Sequence, residues 1–267
     1  MSKTEAPPLP LLAKQPDIDP NEKTVDSALT PERLKALYQT IQEVYLADQR
    51  PWIIGYSGGK DSTTTLQLLW HALSLLPRDQ LTKPIHVITS DTLVETPVIV
   101  DHIRNTLDAM NTAAVQQGMP IRANLVLPEV SQTFWVNMIG RGYPAPYNKF
   151  RWCTDRLKIN PANQFIKDTV DKHGEVILVL GVRKAESATR RQVMELHKRV
   201  GNRLSRHSQL TNAWVFTPIE DFLSMGRHQS CPCHHVSKCF RRMPPGDRQN
   251  HSKLRQQPVW VLDLHGG

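Results

Sequence analysis

Residues 52–62 read WIIGYSGGKDS. The apolar run breaks at Gly55, two glycines follow, and Lys60, Asp61 and Ser62 head the helical pattern of residues 61–76. Gly58 and Gly59 let the backbone bend sharply and approach a bound anion with no Cβ in the way. The first N–H groups of the helix point at such an anion, and the helix dipole favours negative charge there. Lys60 adds a mobile cation, and Ser57 and Ser62 add hydroxyl donors. Asp61 is expected to help hold Mg2+ or to orient Lys60. The string is not a Walker A loop, which keeps four residues between its first glycine and its Gly-Lys pair. It reads as an anion-binding turn between a strand and a helix.

Around this turn the chain alternates strands and helices. Thr30-Pro31 starts a helix that runs to about Asp48, with Leu34, Leu37, Tyr38, Ile41, Val44 and Tyr45 on one face. Strands are expected at Trp52–Tyr56, Pro84–Ser90, Ile121–Leu127 and Glu175–Leu180. Helices are expected at Asp61–Leu76, Thr96–Gln117 and Asn160–His173. The class is therefore α/β, a parallel sheet flanked by helices on both faces. Ligands in such sheets bind beyond the carboxyl ends of the strands. The glycine loop, Ser90-Asp91-Thr92 and Gly181-Val182-Arg183 all fall at such ends.

Two further clusters carry chemistry. Residues 180–190 read LGVRKAESATR. Arg183 and Arg190 suit phosphate or sulfate oxygens through forked hydrogen bonds, with Glu186 placed to hold either arginine. Residues 151–158 read RWCTDRLK. Cys153 stands among Arg151, Arg156 and Lys158, and positive neighbours lower a thiol pKa. A reactive thiolate, a cluster ligand and a buried structural cysteine all remain open for it. Residues 129–158 lack a clean period, yet carry aromatics, five Lys/Arg and this cysteine. They read as a substrate-facing segment.

Composition narrows the class. A chain of 267 residues holds one sizeable core with small appendages. It has no apolar run of 18 residues, and MSKTEAPPLPLL lacks the pattern of a secretory signal, so no membrane span or export is expected. The four cysteines do not form a disulfide framework, which fits a reducing, cytoplasmic setting. The net charge is +8. From Leu223 onward seven Lys/Arg face two Asp/Glu, so +5 of the excess lies in the tail and only +3 in the rest. The charge is therefore weak support for nucleic-acid binding.

These strings resemble the phosphoadenosine phosphosulfate reductase family. Within it the chain is similar to the ATP-pyrophosphatase-type (DndC-type) sulfurtransferases of bacterial DNA phosphorothioation. The match rests on residues 50–68, 90–97 (SDTLVETP), 133–146 (TFWVNMIGRGYPAP), 150–159 (FRWCTDRLKI), 179–190 and 217–222 (TPIEDF). The resemblance implies an adenine nucleotide alpha-hydrolase-like fold, the PP-loop ATP pyrophosphatase type. It implies cleavage of ATP to AMP and pyrophosphate, activating a DNA phosphate for sulfur incorporation. Partners would be DNA, other phosphorothioation proteins and a cysteine desulfurase as sulfur donor. Carried over, Ser57, Gly58, Gly59, Lys60, Asp61 and Ser62 bind the pyrophosphate. Asp91 contacts the adenosine side, and Gly181, Arg183, Glu186 and Arg190 belong to the second phosphate motif. Lys60, Asp61, Arg183 and Cys153 are the candidate catalytic residues. Two other readings stand beside this one, a sulfonucleotide reductase and a non-catalytic nucleotide-binding remnant.

The resemblance stops at Phe222. Family members continue with four cysteines that hold a [4Fe–4S] cluster. Here Cys231, Cys233, Cys239, His234 and His235 have a spacing that fits no common zinc site. Read from the second base of each codon, Met225-Gly226 forces tryptophan, Met243-Pro244 cysteine and Trp260-Val261 glycine, all at family-like positions. Synonymous codons then permit a C-x-x-C ending. The expected organisation is a disordered arm at 1–29, a PP-loop domain at 30–222 and an out-of-frame tail at 223–267. On this reading ATP binding survives, the cluster ligands are absent and sulfur transfer is incomplete.

Overall fold

The computed structural model describes residues 30–147, 150–184, 199–200 and 203–221. The arm at 1–29, the tail at 223–267, Glu186, Arg190 and Phe222 lie outside the described residues.

Helix α1, Pro31–Leu46, begins as its sequence dictates, since Thr30 accepts a hydrogen bond from Arg33 N at 3.3 Å and Pro31 opens the first turn. Its buried side chains are Leu34, Leu37, Ile41, Val44 and Tyr45. Strand β1 (Trp52–Gly55) leads through the glycine loop into α2 (Lys60–Ser74). Then follow β2 (Ile85–Ser90), α3 (Pro97–Gln117) and β3 (Ile121–Val126). Gly118 closes α3 in the left-handed conformation, the usual glycine stop. A helical run from Trp152 passes through a π-helical turn, Asp155–Ile159, into α4 (Asn160–His173). Pro161 cannot donate to the Leu157 carbonyl, and the wider turn absorbs that loss. Strand β4 is Val176–Val179, β5 Arg199–Val200, β6 Leu204–Arg206 and β7 Ala213–Phe216.

The strands form one sheet in the order β3-β2-β1-β4-β7-β6-β5. The first five in that order are parallel. β6 runs antiparallel to β7 and β5 antiparallel to β6, so the parallel sheet expected from the sequence carries two antiparallel outer strands. Each of these outer strands has four residues or fewer, too short to show a period of two in the sequence.

Alternation along β1 and β4 sorts side chains to two cores. Trp52, Ile54, Ile177 and Val179 face the core shared with α1, α2 and α3. Ile53, Val176 and Leu178 face the one closed by Ile166 and Phe165 of α4. Helix α2 is buried on nearly every side, Trp70 and Ala72 included, and α1 packs against it. Among the described residues no helix is long and apolar enough to cross a membrane.

Candidate functional site

The strand order reverses at β1. The chain steps outward from β1 to β2 and β3, then returns to lay β4 on the other side of β1. Such a reversal opens a crevice at the carboxyl ends of the two strands. The loop after β1 and the segment after β4 both empty into it. Residues of these two segments line a cavity of about 370 Å³, among them Ser57, Gly59, Lys60, Ser62, Gly181 and Val182. That is large enough for a small-molecule ligand.

The loop is held by its own serines. Ser62 Oγ donates to Gly59 O at 2.9 Å and accepts from Ser57 N at 3.3 Å, and the two serine hydroxyls lie 3.1 Å apart. Gly58 sits at φ +74°, a conformation that costs an L side chain dearly. No side chain caps α2, so its leading N–H groups face the cavity unclaimed by a capping side chain. Residues 57–60 are exposed, whereas Asp61 and everything after it in the first turns is buried.

Asp61 does not orient Lys60. Its Oδ2 accepts a hydrogen bond from Arg183 Nη2 at 3.1 Å, and both side chains are about nine-tenths buried. This ion pair ties the start of α2 to the segment after β4. Gly181 makes the approach possible. A Cβ there would stand 2.7 Å from Asp61 O and 2.8 Å from Thr65 Oγ1. Only glycine lets β4 run out against the helix start. The expectation that Glu186 or Arg190 completes this cluster falls outside the described residues.

Asp91, 2% exposed, follows β2 on the same edge. Its Oδ1 accepts from Leu93 N at 2.9 Å and holds Leu93 at φ +60°. The side chain thus shapes the turn after β2, and Leu93 is left half exposed beside it. Cys153 is partly buried in the helical turn Trp152–Thr154 and is not part of the cavity wall. Arg156 engages Gln132 Oε1 and, at 2.8 Å, the Tyr143 hydroxyl, not the thiol. Of the cations read around Cys153, Arg156 is thus engaged elsewhere.

The string TPIEDF gains a structural role. Ile219 is fully buried in the larger core. Lys184 N donates to Glu220 O at 2.9 Å, and Lys184 Nζ bonds Asp221 Oδ1 at 2.6 Å. Residues 217–221 thereby brace the segment that carries Arg183.

The sequence model of the phosphoadenosine phosphosulfate reductase domain matches residues 51–234, more than half of the chain. An uncharacterized protein of Methanocaldococcus jannaschii is 28% identical over 158 residues, which is 59% of this chain and 28% of that protein. The chain thus matches little more than a quarter of that relative's length. A solved structure, phosphoadenylyl-sulfate (PAPS) reductase from Candida auris in a phosphate complex, is 15% identical with a TM-score of 0.39, over 79% of this chain and 85% of that one.

Proposed function

Because the chain belongs to the phosphoadenosine phosphosulfate reductase domain family, we propose that it binds ATP at the glycine loop and cleaves it to AMP and pyrophosphate in the service of sulfur transfer to a DNA backbone phosphate. A DNA phosphate oxygen attacks the α-phosphorus and pyrophosphate leaves. The persulfide of a cysteine desulfurase partner then attacks the DNA phosphorus and displaces AMP, which departs with that oxygen, and a thiol reductant cleaves the resulting S–S bond to leave sulfur on phosphorus. The observation that carries the reading is the polar cavity at the sheet reversal, built from Ser57 to Ser62 and closed by Gly181 and Val182. The N–H groups of the α2 start and Lys60 stabilise the departing pyrophosphate electrostatically. Arg183 keeps Asp61 and the loop in place. The strings at 90–97, 133–146 and 150–159 support DNA as the sulfur acceptor through their likeness to phosphorothioation sulfurtransferases.

Mg2+ fits this site as an ion brought by the nucleotide. Such an ion takes one or two carboxylates plus substrate phosphates. Asp61 Oδ1 is buried with no hydrogen-bond partner among the described residues, and Asp61 borders the cavity. When bound, the ion would neutralise phosphate charge. A [4Fe–4S] cluster does not fit the described residues, which hold one cysteine, Cys153, where such a cluster takes four thiolates.

The test is to incubate the full chain with ATP, Mg2+ and DNA and to measure AMP and pyrophosphate. Equimolar release that Lys60→Ala abolishes is the expected result. The family's own description favours a second reading, reduction of a sulfonucleotide. Sulfite released from phosphoadenylyl sulfate with a dithiol reductant, without pyrophosphate release from ATP, would select it. ATP binding with neither product would leave a nucleotide-binding subunit.

A further inference from the structure

The cavity uses none of the aromatic residues between Phe134 and Trp152. These rings form a continuous chain of contacts. Trp135 meets Phe134 edge-on at 5.2 Å, and Phe134 stacks on Trp152 at 5.4 Å. Tyr143 meets Trp152 at 5.5 Å and Phe150 at 6.3 Å, and Phe150 meets Tyr147 at 6.2 Å. The middle is buried, with Trp152 at 5% exposure, but the two ends are open, with Trp135 and Tyr147 each at 58%.

The backbone under this ladder is fixed. Asn137 is fully buried and donates to Gln132 O and Thr133 O at 2.9 Å, while its own carbonyl accepts from Tyr143 N at 3.0 Å. Trp152 Nε1 donates to Pro144 O at 3.1 Å. Exposed rings held this way lose little freedom when a ligand stacks on them.

Among the described residues, the cations around the ladder form no ion pair with a carboxylate. Arg141 bonds Gln132 and Asn137, and Arg156 bonds Gln132 and Tyr143, all neutral groups. Arg151 and Lys158 are exposed and pair with no carboxylate among the described residues. Ser90 Oγ donates to Lys158 O at 3.5 Å, which seats the segment at the carboxyl end of β2, on the edge that carries the cavity.

Flat exposed rings beside unpaired cations match a ligand with flat rings on an anionic backbone. Bases inside a duplex are closed to such stacking, and unpaired bases are open to it. We propose that the Trp135–Tyr147 ladder is a stacking platform for a single-stranded nucleic-acid segment, with Arg141, Arg151 and Lys158 following its phosphates. The proposal rests on the reading above for the choice of DNA, and it adds that the DNA is engaged where it is unpaired.

The experiment uses the full chain and a fluorescein-labelled DNA strand of about 16 nucleotides. Binding is compared with a duplex of the same sequence between about 50 and 200 mM salt. The single strand is expected to bind more tightly. Trp135→Ala and Tyr147→Ala should each weaken it about tenfold and leave duplex binding unchanged. Arg151→Gln should lower the salt slope by about 0.7. Both aromatic positions are open, and retained ATP binding shows that each variant is folded. Variants that bind the single strand as the unaltered protein does would overturn the platform, as would equal losses on strand and duplex. Pyrophosphate release is read on the same samples. If it persists with DNA while the strand results fail, the platform falls alone. If it is absent while the strand results hold, the function falls and the platform stands.

Discussion

The two edges of the sheet are built from similar charges to opposite ends. At the amino edge, Arg50 grips Asp48 through Nε and Nη2 at 2.8 and 2.5 Å and reaches Glu175 at 3.3 Å. Lys83, 2% exposed, puts its ammonium 3.3 Å from Asp48 Oδ1 and over the rings of Tyr45 and Trp52. Trp214 Nε1 closes the group on Glu175. Each of these charges has a partner from the same chain. At the carboxyl edge one buried pair, Asp61–Arg183, sits beside a loop whose residues 57–60 are exposed. Helix polarity accounts for the difference. Helix α1 ends beside Asp48 and Lys83, where the dipole suits cations, and α2 begins at the cavity, where it suits anions. One edge closes on itself, and the other leaves an open polar cavity, which the proposed nucleotide would fill.

The largest expected effects test the buried pair. Arg183→Ala leaves the Asp61 carboxylate buried without its cation and should cost about 3–5 kcal/mol in urea unfolding. Gly181→Ala drives a Cβ into the backbone of Asp61, so it should cost about 1–3 kcal/mol and displace the loop enough to abolish ATP binding. Lys60→Ala should do the reverse. Stability should stay within about 0.5 kcal/mol. ATP affinity should fall at least about tenfold, the loss of a charge-assisted bond to phosphate. If Lys60→Ala destabilises as Arg183→Ala does, the loop is structural and the contrast between the edges breaks.

Most of the fold was legible because its signals are local. The apolar run at Trp52, the glycine pair and the helical pattern after Asp61 are adjacent, and β1, the loop and α2 stand where they placed them. Thr30-Pro31 marked α1 in the same way. The antiparallel strands β5 and β6 were not legible, since short strands borrow their order from a neighbour. Nor was the partner of Asp61, which lies 122 residues away and is chosen by the sheet order rather than by any local pattern. Lys83 gave no sign of burial, because a lone lysine before a strand reads as a surface residue. Its ammonium is taken in only because Tyr45, Trp52 and Asp48 arrive from α1 and β1.

Lys83→Met sharpens the comparison from the closed edge. Burial holds the Lys83 ammonium below the usual lysine range against the pull of Asp48, so its charge is costly where it sits. Removing it leaves Asp48 still bonded to Arg50, and the methionine chain keeps the contact with Tyr45 and Trp52. The change should alter stability by less than about 1 kcal/mol, far less than Arg183→Ala. Equal losses for the two would mean that the edges are closed by the same means.

The smallest effect is in pH. Burial alone would raise the Asp48 pKa, but hydrogen bonds from Arg50 and the charge of Lys83 outweigh it and hold the carboxyl below its ordinary 3.8. The unfolded chain therefore takes up the proton first as pH falls. The carboxylate's contribution is complete above 3.8 and is lost as pH drops through the folded value. Burial of His71 and His86 lowers both below 6.5, so they too reduce stability on the acid side, beginning at higher pH. Comparing Asp48→Asn with the unaltered chain cancels the histidines, which titrate alike in both. The difference in unfolding free energy should be on the order of 1 kcal/mol at pH 7, stay flat to about pH 5 and close as pH falls below 3.8. A difference that instead narrows between pH 7 and 5 would mean that a group other than the Asp48 carboxylate carries it, and the amino edge would owe its closure to that group.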